Sequence, residues 1–463
     1  MSTSELDMFS EFSLRGRWWL PGDPNDQVSG TLQFSDESIK LRLDHSFFSN
    51  SELASAYSVG SFKAPVVLGY TTKGDRCTIL RAFYLSSSGH EVLLAANALL
   101  VGIHFNDERD LPIHKSLLRF THLEDWTGQL LVRDKAGSSE DHFNLVVPTA
   151  AKSVFQVEGP SQFKRLTLWN GLQISRKRTE TNLTSQSQFQ LDLDPPTNLL
   201  AVNQLIRGLA NLLSLLVGEA VLPRKVRLMS RESGTEEERT VDYFVPSRTI
   251  GPKERSEFDM PFPLRHFADG NSAENLFKEW FLKEEVLRPV CDLLLSTVYN
   301  PGSYVQSTFL SLAQGLESFH RRTHHGTYVP KEDYAGIREI LQSAIPSNTP
   351  QELKQKLLST LAFANELSLK TRIKQLFEGV DPKHATDLTG YPDLRKFTTL
   401  FAEIRNYLTH YDEARRPPII DNVVDMYNLN RRLRAILTLL LLKYLGLNEN
   451  MLFLPLKSHL RLF

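Results

Sequence analysis

The spacing of apolar residues changes once along this 463-residue chain, and that change limits the fold more than any other feature. Up to about residue 246, apolar residues come in short runs broken by turn-forming residues. RGRWWL, VSGTLQF and SIKLRL are separated by PGDPND and by Asp36-Glu37. VVLGYTTKGDRCTILRAFYL holds two β-rich runs about a Lys73-Gly74-Asp75 turn. Further runs fall near 99–106, 116–121, 128–133, 143–148 and 165–174, then at KVRLM and TVDYFVP. Many short strands at regular spacing predict a sandwich or a barrel-like sheet. One helix breaks the series. Over Asn198 to Val217, Leu205, Leu209, Leu212, Leu213 and Leu216 recur at helical spacing, with Pro195-Pro196 before and Pro223 after. Such an apolar stripe is expected to pack on the sheet.

The stretch from Pro246 to Gly270 holds four prolines and reads as a connector. Beyond it the spacing is helical. Ser272 is placed to cap a helix over Ala273 to Tyr299, with Pro289 as a kink. A second helix is expected from Ser303 to His320. Thr349-Pro350-Gln351-Glu352 reads as a capping box opening a helix that runs to Phe377. Two more cover Asp393 to Asp412, stopped before Pro417-Pro418, and Asp421 to Leu445. The fold class is therefore α+β: a β-rich domain over 1–262, then an all-α bundle over 272–463.

Composition excludes several function classes. Two cysteines, Cys77 and Cys291, rule out a disulfide scaffold or a Cys-rich zinc module and fit a reducing cytoplasm. The most apolar stretch, Ala435 to Leu442, is eight residues, where a bilayer span needs about 20, so no membrane is expected. Lys+Arg is 53 and Asp+Glu 54, which excludes an indiscriminate polybasic binder. The balance is uneven, however. Residues 160–231 hold ten Lys/Arg against four Asp/Glu, including Arg176-Lys177-Arg178. Residues 401–463 hold nine against six, including Arg431, Arg432 and Arg434, which are candidate RNA-binding residues. No P-loop, GxGxxG or GxSxG occurs. His320 and His324 share a helix face with no third metal ligand at a convincing spacing, so no metal and no cofactor are expected.

The chemistry concentrates in EIRNYLTHYD, Glu403 to Asp412, with the pattern R-N-x-x-x-H. Arg405 offers a fork of donors that matches a phosphate, and His410 can take or give a proton near neutral pH. Asn406 can orient either. A cation beside an acid/base histidine suffices for metal-free cleavage of RNA: the 2′-OH attacks the adjacent phosphorus, leaving a 2′,3′-cyclic phosphate and a 5′-OH. Arg405 and His410 are five apart, about 140° around an ideal helix. Either the helix loosens before Pro417, or a second copy of the chain completes the site.

With these residues in place, the helical region resembles the HEPN superfamily, whose bundles carry an R-[N/D/H]-x(3–5)-H motif late in the fold. FLSLAQGLESFHR, with Glu317, and LSLKTRIKQLFEGV, with Arg372, resemble its ApeA-type branch, and the RGRWWLPG and VSGTLQF opening resembles the β-rich domain that precedes the bundle there. The resemblance implies a homodimeric, metal-independent endoribonuclease acting on RNA, with tRNA as a candidate, in abortive infection by phage. Arg405, Asn406 and His410 would be catalytic, and Glu317 either an additional active-site group or a salt bridge in the bundle. The β-rich domain would respond to a phage-derived trigger. The alternative is a catalytically silent bundle serving as a dimerisation or ligand-binding regulatory protein.

Overall fold

A computed structural model describes residues 6–47, 63–107, 109–128, 133–134, 145–146, 151–157, 163–231, 238–247, 259–267 and 270–459. Its contacts divide the chain into two compact units, Met1–Leu282 and Lys283–Phe463.

The first unit is built on antiparallel strands. They are β1 (Phe12–Trp19), β2 (Val28–Phe34), β3 (Ile39–Leu43), β4 (Lys63–Thr71), β5 (Arg76–Ser88), β6 (Glu91–Ala96), β7 (Ala98–Val101) and β8 (Ile113–Phe120). Then come the two-residue β9 (Arg133–Asp134) and β10 (Leu145–Val146), β11 (Ala151–Gln156), β12 (Phe163–Lys177), β13 (Glu180–Thr197), β14 (Pro223–Arg231) and β15 (Glu238–Phe244). Thirteen of them form one sheet. Because β6 pairs with both β3 and β5, the run β4-β1-β2-β3-β6-β5 closes on itself as a six-stranded barrel. The alternation explains the closure. In β2 and β3, Leu32, Phe34, Ile39, Leu41 and Leu43 are buried while the residues between them are largely exposed, so each strand sends one row inward. Trp18 is wholly buried, with Nε1–H donating to the Gly30 carbonyl (3.2 Å), and Gly69 leaves room for its ring.

β5 is 13 residues long and serves two structures. Its first half also pairs with β7, from which β15, β14, β8, β13, β12 and β11 continue as an open sheet. α1 (Leu123–Thr127) places Trp126 Nε1–H on the Phe262 carbonyl (2.9 Å). α2 (Leu199–Val217), capped by the Asn198 side chain, packs on the sheet through Leu209, Leu212, Leu213 and Leu216, as its apolar stripe demands. It is long and apolar enough to cross a membrane by composition, yet 67% of that window is buried in the protein.

Several sequence expectations need correction. β6, β11 and β13 have no counterpart among the expected strands. The runs expected near 128–133 and 143–148 reduce to β9 and β10 among the described residues; Gly128 ends a short helix, and 129–132, 143–144 and 147–148 lie outside the described residues. α3 (Gly270–Tyr299) begins at Gly270, so Ser272 sits inside its first turn and is no cap. Its turns up to Leu282 belong to the first unit, where Phe277 meets Phe155 and Phe189 at ring distances of 5.0 and 5.9 Å.

The second unit holds the rest of α3, then α4 (Val305–Thr323), α5 (Lys331–Ser343), α6 (Gln351–Phe363) and α7 (Leu369–Gln375). α8 (Pro382–Thr389), α9 (Leu394–His410), α10 (Val423–Tyr444) and α11 (Glu449–His459) follow. α10 is the central helix. Gly315 of α4 permits close approach, since a Cβ there would lie 2.8 Å from Leu437 Cδ2. Phe309 of α4 meets Phe401 of α9 at 5.6 Å. The single helix expected to run to Phe377 is two. Pro350, not Thr349, precedes α6, and it makes no side-chain cap. The break falls where Asn365 bonds both the N–H and the carbonyl of Val329 (3.1 and 2.9 Å) and Ser368 caps α7.

Candidate active site

α9 carries the R-N-x-x-x-H pattern. Asp393 caps it, accepting from the Arg395 N–H at 3.0 Å, and that bond holds the Asp393 carboxyl below its usual pKa. Phe397, Phe401, Ile404, Tyr407 and Leu408 face the bundle, which sends Glu403, Asn406 and His410 to the opposite, exposed side. The helix keeps α geometry through His410 and does not loosen between Arg405 and His410. It stops because Tyr411 turns into the left-handed region (φ +51°), donating its N–H to the Tyr407 carbonyl, ahead of Pro417-Pro418.

This folding separates the sequence-predicted residues into two groups. Asn406 and His410 line an open cleft of about 590 Å³, together with Glu403, Tyr407, Asp412, Arg415, Arg416, Pro417 and Pro418. The His410 ring has no hydrogen-bond partner among the described residues. Arg405 lies outside that lining. Its guanidinium reaches Glu317 of α4 at 3.8 Å and Asn406 Oδ1 at 3.4 Å, so Asn406 is the link between the two groups.

Arg415 and Arg416 of the cleft were not singled out from sequence, although they follow His410 by five and six residues. Tyr407 donates its hydroxyl to Glu413 (2.9 Å), under the Arg416 guanidinium at 5.7 Å. Burial, then the bond to Glu413, keeps this phenol above its ordinary pKa, so it stays protonated. Arg416 is tied to Glu413 and Asp421 at 3.2 and 2.5 Å, whereas the Arg415 side chain is 86% exposed.

Glu317 belongs to a chain of charges in the bundle. Arg321 bridges it to Glu366 (3.1 Å to each), and Glu366 reaches Arg372 at 3.5 Å. Arg372 is 2% exposed and donates to the Leu367 carbonyl (3.0 Å), the Gly326 carbonyl (3.3 Å) and His320 Nδ1 (3.3 Å). An arginine cannot accept, so His320 Nδ1 is the acceptor and its Nε2–H donates to Gln375 Oε1 at 2.8 Å. Burial first, with the nearby cations, pushes His320 below its ordinary pKa and keeps it neutral. No three His, Cys, Asp or Glu among the described residues are grouped to hold a metal.

Arg432 donates to the carbonyls of Asp387 and Leu388 (2.7 and 3.1 Å) at the end of α8, and Arg434 to Thr297 (3.1 Å). Both heads therefore serve the bundle. Arg431 lies over the Tyr427 ring at 5.9 Å.

A barrel-and-sheet unit followed by a helical bundle, with R-N-x-x-x-H at the open end of a late helix, is the organisation of a HEPN protein with an N-terminal β-rich domain. The comparisons are specific. The family model of ApeA N-terminal domain 1 matches residues 13–280, and that of Apea-like HEPN matches 310–451. The first spans more than half of the chain, so this chain belongs to the ApeA-type HEPN proteins. No curated protein and no solved structure matches it significantly.

Proposed function

We propose that this chain is a metal-independent endoribonuclease acting in anti-phage defence by abortive infection, with tRNA as its candidate substrate. The observation that carries the reading is His410, unengaged and facing an open cleft beside Asn406 at the end of the motif helix. HEPN domains are generally nucleases, and the chemistry this one can perform is the 2′-OH route. His410 moves the proton between the ribose hydroxyl and the departing 5′-oxygen, and Arg405 stabilises the charge on the phosphoryl oxygens. Because Arg405 stands off the His410 cleft in one chain, a second copy would bring the two together, and we assign the active form as a homodimer through the helical bundle.

The test is incubation of the pure chain with bulk tRNA in EDTA. Fragments are expected whose 5′-OH ends label directly with polynucleotide kinase, and none from His410→Ala or Arg405→Ala. Mixing those two inactive variants should restore part of the cleavage if the site is shared between copies. Cleavage that requires a divalent metal, or that survives His410→Ala, would sink the mechanism.

A further inference from the structure

We infer that the distal half of the β12–β13 hairpin is a nucleic-acid-binding arm that engages duplex DNA through its basic tip. β12 pairs with β11 only over Arg165–Asn170, and β13 with β8 only over Phe189–Asp192 and at Thr197. Between them, seven cross-strand pairs from Gly171↔Gln186 to Lys177↔Glu180 carry no further strand among the described residues. At about 3.4 Å per residue the ribbon projects about 20 Å. One apolar cross-strand pair, Ile174↔Leu183, lies on one face, and Ile174 is itself 50% exposed. Core packing therefore does not explain the ribbon's length; an isolated two-stranded ribbon is marginal in water.

Its composition points to a polyanion. Residues 171–186 hold three basic side chains, one acidic side chain, eight hydroxyl or amide side chains and no aromatic one. Alternation puts Arg176 on one face and Lys177 on the other, with Arg178 at the turn, so positive charge surrounds the tip. Glu180 is held by Lys177 at 3.3 Å and by Asn182 at 3.0 Å. Arg176 and Arg178 are exposed and have no partner among the described residues. Unpaired guanidinium groups among hydroxyls and amides suit phosphates and sugars. The lack of an aromatic platform argues against a single strand, which is held by base stacking. The major groove of B-DNA, about 12 Å wide, admits a two-stranded ribbon, and that of A-form RNA is too narrow.

The inference is separate from the ribonuclease reading, because DNA lacks the 2′-OH and binding is read without cleavage. Full-length protein is titrated into a short fluorescent DNA duplex and anisotropy is followed from about 50 to about 200 mM salt. The triple variant R176Q/K177Q/R178Q is expected to bind roughly tenfold more weakly or worse at the lowest salt. It should also flatten the slope of log affinity against log salt by about 2–3. Glu180→Gln, which frees Lys177, should tighten binding. RNA arms use the His410→Ala chain. Unchanged affinity and slope in the triple variant, or tighter binding of an RNA duplex than of the DNA duplex, overturns the inference.

Discussion

Arg372→Met removes a guanidinium that bonds four residues of the bundle, His320, Gly326, Glu366 and Leu367, while nearly keeping its volume. The loss can be worked out acceptor by acceptor. The Gly326 carbonyl still receives the Leu367 N–H at 2.9 Å, and Glu366, partly exposed, still pairs with Arg321 at 3.1 Å. The Leu367 carbonyl and His320 Nδ1 lose a donor inside the protein. Each orphaned acceptor costs roughly 1–3 kcal/mol, so about 4 kcal/mol is expected in all. Lys at 372 should rescue little, since one ammonium cannot reach acceptors spread around a planar fork. Urea unfolding is followed by far-UV circular dichroism and by tryptophan fluorescence. All five tryptophans (Trp18, Trp19, Trp126, Trp169, Trp280) lie in the first unit, so fluorescence is blind to the bundle. At a slope of about 2 kcal/mol per molar urea, the dichroism midpoint should fall by about 2 M. A displacement below about 0.5 M would refute the view that Arg372 is a buried hub.

Gly69→Ala should destabilise the barrel by about 3 kcal/mol or more, because the new Cβ would lie 2.2 Å from the Trp18 ring; a lowered tryptophan-detected midpoint checks it. His320 is held below its ordinary pKa of 6.5, so as pH falls through that value the unfolded chain takes a proton that the folded one refuses. Stability should therefore decline as pH falls below about 6.5, and His320→Gln should flatten that decline in urea midpoints. Burial pushes the Cys77 thiol up to about 12 and raises Cys291 as well, so neither should react with Ellman's reagent until urea unfolds the chain. Arg432→Ala should cost about 1–2 kcal/mol by leaving the Asp387 and Leu388 carbonyls without their donor, read as a lower midpoint by dichroism.

The parts of this molecule legible in the sequence are those governed by local rules. α9 is opened by Asp393, and α2 is bounded by Asn198 and Gly218, residues whose cap chemistry is visible without the fold. β13 was legible in principle, since Phe189, Leu191 and Leu193 alternate with polar residues, but its distal half is polar on both faces and has no strand period. The break after α6 depends on Asn365 finding Val329 across 36 residues, which no local pattern contains. At the site, the motif and its helical offset were readable. That Arg405 pairs with Glu317 and not with the cleft depends on how α4 and α9 pack. The Arg176-Lys177-Arg178 run shows charge in the sequence, and only the register of β12 on β13 turns it into a tip.

Barrel closure has a consequence for self-association. An open thirteen-stranded sheet would end in two unpaired strands, enough for molecules to add to one another in sequence without limit. Here one end is consumed by the β6–β5 pairing, and, outside the projecting ribbon, β11 is the only terminal strand of this sheet among the described residues. That strand is six residues long, its Lys152 sits over Trp169 at 4.6 Å, and its Gln156 N–H is already occupied by Glu274 at 2.8 Å. Outside the ribbon, the thirteen-stranded sheet as described is thus terminated by topology at one end and by side chains at the other.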